Sequence, residues 1–127
     1  MTAMPRILPV VLAAVLGLAA AAVPAPAGDF YVALAPYLTT THPCTYHVKG
    51  SCQGELAGAT FRYWLRSTDG TVSRSGVVRA GDDGFVELWV PPHKRYVITF
   101  AYQGRRGTGT FSSFPRDPTC ITTIRLR

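Results

Sequence analysis

The segment Arg95–Gln103 (RYVITFAYQ) alternates strictly, with Tyr96, Ile98, Phe100 and Tyr102 on one side and Arg95, Val97, Thr99 and Ala101 on the other. A period of two, built from β-branched and aromatic residues, describes a half-buried strand. Similar runs recur along the chain. Phe61-Arg62-Tyr63-Trp64-Leu65-Arg66 sets Phe61, Tyr63 and Leu65 against the two arginines. Asp69-Gly70 turns it into a return strand over Thr71–Arg79, and Gly81-Asp82-Asp83-Gly84 turns again into Phe85–Val90. Pro91-Pro92 stops that strand, because proline cannot donate to a ladder. Gly104–Gly107 reads as a hairpin turn, followed by strands over Thr108–Phe114 and Thr119–Leu126. No window after residue 28 carries a long amphipathic helical pattern. The class is therefore all-β, a small antiparallel β-sandwich of six to seven strands. Asp29–Thr41, interrupted by Pro36, reads as an edge strand or an ordered arm.

The beginning of the chain has a different character. Ile7–Val23 is almost wholly apolar, follows Arg6, and leads into the small-x-small sequence Ala25-Pro26-Ala27. That is the layout of a secretory signal peptide over residues 1–27. A retained anchor is the alternative, although 17 residues is short for a spanning helix. Cleavage before Gly28 leaves 100 residues, one domain, with all 14 aromatics and a net charge of +5. Residues 28–43 then form an N-terminal arm, and 44–127 a β domain bearing every cysteine. The basic residues are scattered, so neither a nucleic-acid footprint nor, after cleavage, a stable membrane anchor is expected. Export places the domain in a periplasm, cell envelope or extracellular medium. Met1 and Met4 depart with the leader, so the mature chain has no thioether ligand.

Cys44, Cys52 and Cys120 remain. In an oxidising compartment a disulfide is the ordinary use of cysteine, and an odd count leaves one thiol over. Cys52 with Cys120, plus a spare Cys44, is one such pairing, giving a disulfide-stapled secreted binding module. A metal site is the other reading. Cys44-x-x-His47 offers a thiolate and an imidazole from one loop, and Lys49-Gly50-Ser51 lets Cys52 fold back towards them. Cys120 would add a third sulfur from the far end of the chain. Three thiolates near one imidazole suit Cu(I), or zinc in a Cys3His tetrahedron. A thiol oxidoreductase is disfavoured because no CxxC is present.

The other candidate residues carry weaker signals. His42 could be a fourth ligand or an exposed loop histidine, and His93 reads as solvent-facing in a turn. Tyr46 and Trp64 could shield a metal, though aromatics in a small β domain more often fill its core. Glu55 and Glu87 lack an evident partner for acid–base work, and Asp82-Asp83 is ordinary turn chemistry. Ser112 and Ser113 have no surrounding triad. No enzyme active site is expected.

Three runs resemble a known family. They are Cys44-Thr45-Tyr46-His47 with Ser51-Cys52-Gln53-Gly54-Glu55-Leu56, Asp83-Gly84-Phe85-Val86-Glu87-Leu88-Trp89, and Ser113-Phe114 with Asp117-Pro118-Thr119-Cys120-Ile121-Thr122-Thr123. Together they are similar to CueP, the periplasmic copper-binding protein, over roughly Pro43–Leu126. The resemblance implies that Cys44, Cys52 and Cys120 are the copper ligands, with His47 where the family carries a histidine. It also implies copper tolerance or delivery outside the cytoplasm. Family members carry a further N-terminal region linked with dimer formation, and only 16 residues separate the expected cleavage site from Cys44. Cu(II) meeting the thiols could be reduced as two of them form a disulfide. A thiol reductase or isomerase, and a copper-requiring exported enzyme, are the expected partners beside copper itself.

Overall fold

The computed structural model describes residues 2–4 and 28–127; the expected leader therefore lies outside the described residues apart from 2–4. Seven strands follow: β1 (Phe30–Leu34), β2 (Thr60–Ser67), β3 (Ser73–Arg79), β4 (Val86–Val90), β5 (Arg95–Tyr102), β6 (Arg105–Ser112) and β7 (Cys120–Ile121). They form a three-stranded sheet ordered β4-β1-β7 and a four-stranded sheet ordered β3-β2-β5-β6. The architecture is the all-β sandwich that the alternation indicated.

The alternation also fixes what lies between the sheets. Phe61 and Leu65 of β2, Tyr96, Ile98 and Phe100 of β5, and Phe111 of β6 are buried. They meet Val32 and Leu34 of β1, Val86 and Val90 of β4, and the C-terminal Ile124 and Leu126. Each such side chain, fully removed from water, contributes about 1.5–3 kcal/mol before the entropy of ordering it is counted. The buried Tyr96 directs its hydroxyl to the Pro91 carbonyl, 2.6 Å away. Ser113 donates to the same carbonyl at 2.9 Å, so this serine braces the Pro91-Pro92 turn.

Three expectations change. Phe30–Leu34 is the middle strand of its sheet, not an edge strand, and Val32, Ala33 and Leu34 are wholly buried. The last strand stops after Ile121 and runs parallel to β1, pairing Ala33 with Cys120 and Leu34 with Ile121. The β5–β6 turn is Gln103-Gly104, both at positive φ (48° and 76°), which is the two-residue hairpin geometry that matches strand twist. Strand β6 therefore starts at Arg105. It contains Gly107 because a Cβ there would stand 2.5 Å from the Arg125 carbonyl oxygen. The C-terminal segment passes across this bare patch, with Arg127 and Arg106 exchanging backbone hydrogen bonds of 2.9 and 3.1 Å.

Candidate metal centre

Strand side chains point alternately to opposite faces. With Val32 and Leu34 turned into the sandwich, Tyr31 and Ala33 face outward from the small sheet. Cys120, paired with Ala33, shares that outer side. Ala33, Ala35, Phe85 and Cys120 form a second buried cluster there, with Tyr31, Cys44 and Cys52 packed on it. The alanines leave room for the Cys44–Cys52 loop to lie against the sheet.

Two clamps hold that loop. In the first, the Thr45 carbonyl accepts from the amides of Thr119 (2.9 Å) and Cys120 (3.0 Å). The His47 amide donates to Thr119 Oγ1 at 3.0 Å, and the Tyr46 hydroxyl to the Arg116 carbonyl at 2.8 Å. Cys44 thereby lies over the start of β7. The structure joins Cys44 and Cys120 in a disulfide, with Cα atoms 5.4 Å apart. The illustrative pairing of Cys52 with Cys120 is corrected: Cys52 is the free thiol. The count of one disulfide and one free cysteine stands.

The second clamp is backbone against backbone. The Gly54 amide donates to the Asp83 carbonyl at 2.6 Å, and Gln53 Nε2 to the Asp82 carbonyl at 3.1 Å. Gly84 sits at φ +77°, and a Cβ on it would stand 2.6 Å from the Gly54 carbonyl oxygen. A Cβ on Gly54 would likewise meet the Gly84 carbonyl oxygen at 2.8 Å. Only glycine at both positions permits this approach. It delivers Cys52 Sγ to 3.2 Å from Cys44 Sγ, and all three sulfurs lie within 4.8 Å of one another. Once reduced, a trigonal ion on bonds of about 2.3 Å needs sulfurs about 4 Å apart, a small spread from this arrangement.

His47 stands beside the sulfurs with its side chain wholly shielded from solvent. Its ring packs on Phe85, centroids 4.1 Å apart. Nδ1 faces Cys120 Sγ at 4.0 Å, and Nε2 faces Asp83 Oδ2 at 3.1 Å. The other Asp83 oxygen accepts from the Phe85 amide at 3.1 Å, which fixes the carboxylate. If Nε2 carries the proton and donates to Asp83, the Nδ1 lone pair faces the sulfurs. A carboxylate orienting a ligand imidazole in this way is a recurrent device of metal sites. Glu87, one pleat along β4, completes a group with His47 and Asp83 whose donor atoms lie within 4.8 Å of one another. Burial, then the charge and hydrogen bond of Glu87, push the Tyr31 phenol up to about 12.

The remaining candidates disperse. His42 is exposed and hydrogen-bonds the Gln53 carbonyl through Nε2 at 2.9 Å. His93 turns at φ +60° beside Phe114. Trp64 lies in the other sheet under the Arg106 guanidinium, 4.9 Å from its ring centre, and Tyr46 is exposed. Glu55 clips the Leu38–Thr39 turn; the Thr39 hydroxyl first, then the Leu38 amide, hold its carboxyl below the usual range. Reading along the sequence missed Asp83 and Glu87. A turn explained Asp83 adequately, and nothing local placed His47 36 residues away against it.

The family model of the periplasmic copper-binding protein CueP matches residues 10–125. The crystal structure of S.CueP is similar, with a TM-score of 0.75 and 28% sequence identity. The likeness covers 79% of this chain and 64% of that one, so the chain spans less than two thirds of that relative's length. No curated protein matches.

Proposed function

The chain belongs to the CueP family of periplasmic copper-binding proteins, and we propose that it holds Cu(I) on Cys44, Cys52 and Cys120, with His47 Nδ1 as the adjoining nitrogen ligand. The observation that carries this reading is the convergence of three sulfurs, two from one loop and one from β7, beside a buried imidazole. Thiolates are soft donors suited to Cu(I), which takes three of them with or without the His47 nitrogen as a fourth ligand.

Residues 1–27 act as the export leader, and the remainder works in the periplasm or cell envelope. There the Cys44–Cys120 disulfide is the oxidised state of the same site. Its formation from two thiolates releases two electrons, enough to reduce two Cu(II) to two Cu(I), and leaves Cys52 and His47 as ligands. Reduction is therefore stoichiometric. A dithiol reductase or isomerase resets the site by taking on the disulfide itself. The bound Cu(I) is kept from harmful chemistry, or passed to an exported copper enzyme.

The test is Cu(I) titration of the reduced, oxygen-free protein against a competing chelator. One Cu(I) is expected, with Cys→Ser at 44, 52 or 120 weakening it at least tenfold. Unchanged affinity in all three variants would overturn the proposal, and preferential retention of zinc under Cu(I) competition would replace copper by zinc.

A further inference from the structure

His47 has two nitrogens with different neighbours, and only one of them faces sulfur. Nε2 points away from the thiols to Asp83, with Glu87 within 4.8 Å of both. The donors on that side are one imidazole and two carboxylates, all harder than a thiolate. Among the described residues neither carboxylate has a lysine or arginine salt-bridge partner. Both line a groove of about 550 Å³ whose other walls include Lys49, Gln53 and Arg79. Two negative groups thus face a solvent-reachable space, and behind one of them, Asp83, stands the shielded imidazole of His47. The field they generate is felt by Tyr31, whose phenol is held protonated to about 12, burial being the larger cause and Glu87 the next.

We propose that His47 Nε2, Asp83 and Glu87 form a second copper site, specific for Cu(II), that captures the oxidised ion at the surface beside the thiols. The proposal rests on the reading above that copper is the cargo. Cu(II) prefers nitrogen and oxygen donors in a tetragonal arrangement, whereas Cu(I) prefers sulfur. Donors 3.1 Å apart, on bonds of about 2.0 Å, subtend about 100° at an ion, close to the corner of such an arrangement. Binding through Nε2 requires the imidazole proton to move to Nδ1, which then points at Cys120. One neutral ring cannot offer both lone pairs at once, so His47 serves either the Cu(II) side or the Cu(I) side. The two sites share a ligand and exclude each other at that ligand. Cu(II) would be held one ring's width from the thiolates that reduce it, and released from Nε2 once reduced.

The experiment uses the full chain in its disulfide form, with Cys52 blocked by iodoacetamide so that no thiolate competes. One equivalent of Cu(II) is added with glycine as competitor, and the electron paramagnetic resonance spectrum is recorded. An axial signal with superhyperfine splitting from one nitrogen is expected. Glu87→Gln should weaken Cu(II) at least tenfold, as should Asp83→Asn, with an unchanged far-UV circular dichroism spectrum. Equal Cu(II) affinity in wild type and both variants would overturn the site, assigning the ion to exposed histidines such as His42. So would failure of the blocked wild type to retain Cu(II) against glycine. In the reduced state, Glu87→Gln should leave the Cu(I) titration unchanged, and an equal loss there would overturn the separation of the two sites. Failure of the Cu(I) reading appears independently, as wild-type thiols that do not hold Cu(I).

Discussion

Reducing the Cys44–Cys120 disulfide removes the longest-range covalent tie in the fold, and copper should restore what is lost. The bond closes a loop of 76 residues. The chain-entropy relation for a loop of that length gives about 15 cal/mol/K, or about 4.5 kcal/mol at 25 °C. In a domain of this size each kcal/mol moves the melting temperature by roughly 4–8 °C, so reduction should lower it by about 18–36 °C. Cu(I) bound to the folded thiols opposes that loss through mass action, giving about 4 kcal/mol when free Cu(I) stands at a thousand times its dissociation constant. The assay is a set of oxygen-free thermal melts followed by circular dichroism: oxidised protein, reduced protein, and reduced protein in a buffered Cu(I) series. Melting should fall on reduction and climb back along that series until it approaches the oxidised value. The Cys52→Ser variant should melt normally when oxidised yet recover poorly with Cu(I). A drop of less than about 5 °C on reduction would refute the long-loop reasoning. Recovery that is identical in wild type and Cys52→Ser would refute the assignment of Cys52 as a ligand.

Three further outcomes follow from particular contacts. Gly84→Ala places a Cβ 2.6 Å from the Gly54 carbonyl oxygen at φ +77°; it should cost about 2–4 kcal/mol from backbone strain and a weakened clamp, read by urea unfolding, and lower Cu(I) affinity as Cys52 shifts. Asp83→Asn, which disturbs the orientation of His47, should lower Cu(I) affinity about tenfold in chelator competition without changing the one-to-one stoichiometry. Glu55, held below its ordinary value of 4.5 by the Thr39 hydroxyl and Leu38 amide, stabilises the fold above that pH, and the contribution is lost as pH falls through its folded value. Thermal melts across that range should therefore show a shallower acid slope in Glu55→Gln than in wild type.

The fold was legible where alternation was strong. Strands β2 and β5 and their core-facing Phe61, Leu65, Ile98 and Phe100 follow directly from a period of two. Less legible was β1, because a central strand buried on both faces loses its alternation: Val32, Ala33 and Leu34 are all wholly buried. The parallel pairing of β7 was hidden because two residues are too few to carry a period. At the site, the cysteines and His47 were visible as residue types, but their pairing depends on the Thr45–Cys120 backbone clamp, a contact between distant segments. Asp83 and Glu87 were hidden for a related reason. Asp83 satisfies a local turn and Glu87 looks like any outward strand residue until the Cys44–Cys52 loop is laid over them. Gly54 and Gly84 carried no legible partner either, since each is explained only by the other.

Cu K-edge X-ray absorption on the reduced, Cu(I)-loaded chain tests the thiolate site most directly. Three sulfur scatterers at about 2.3 Å with one nitrogen at about 2.0 Å, the sulfurs falling to two in each Cys→Ser variant, are the expected result. A shell of nitrogen and oxygen at about 2.0 Å, unchanged by loss of any cysteine, would contradict it.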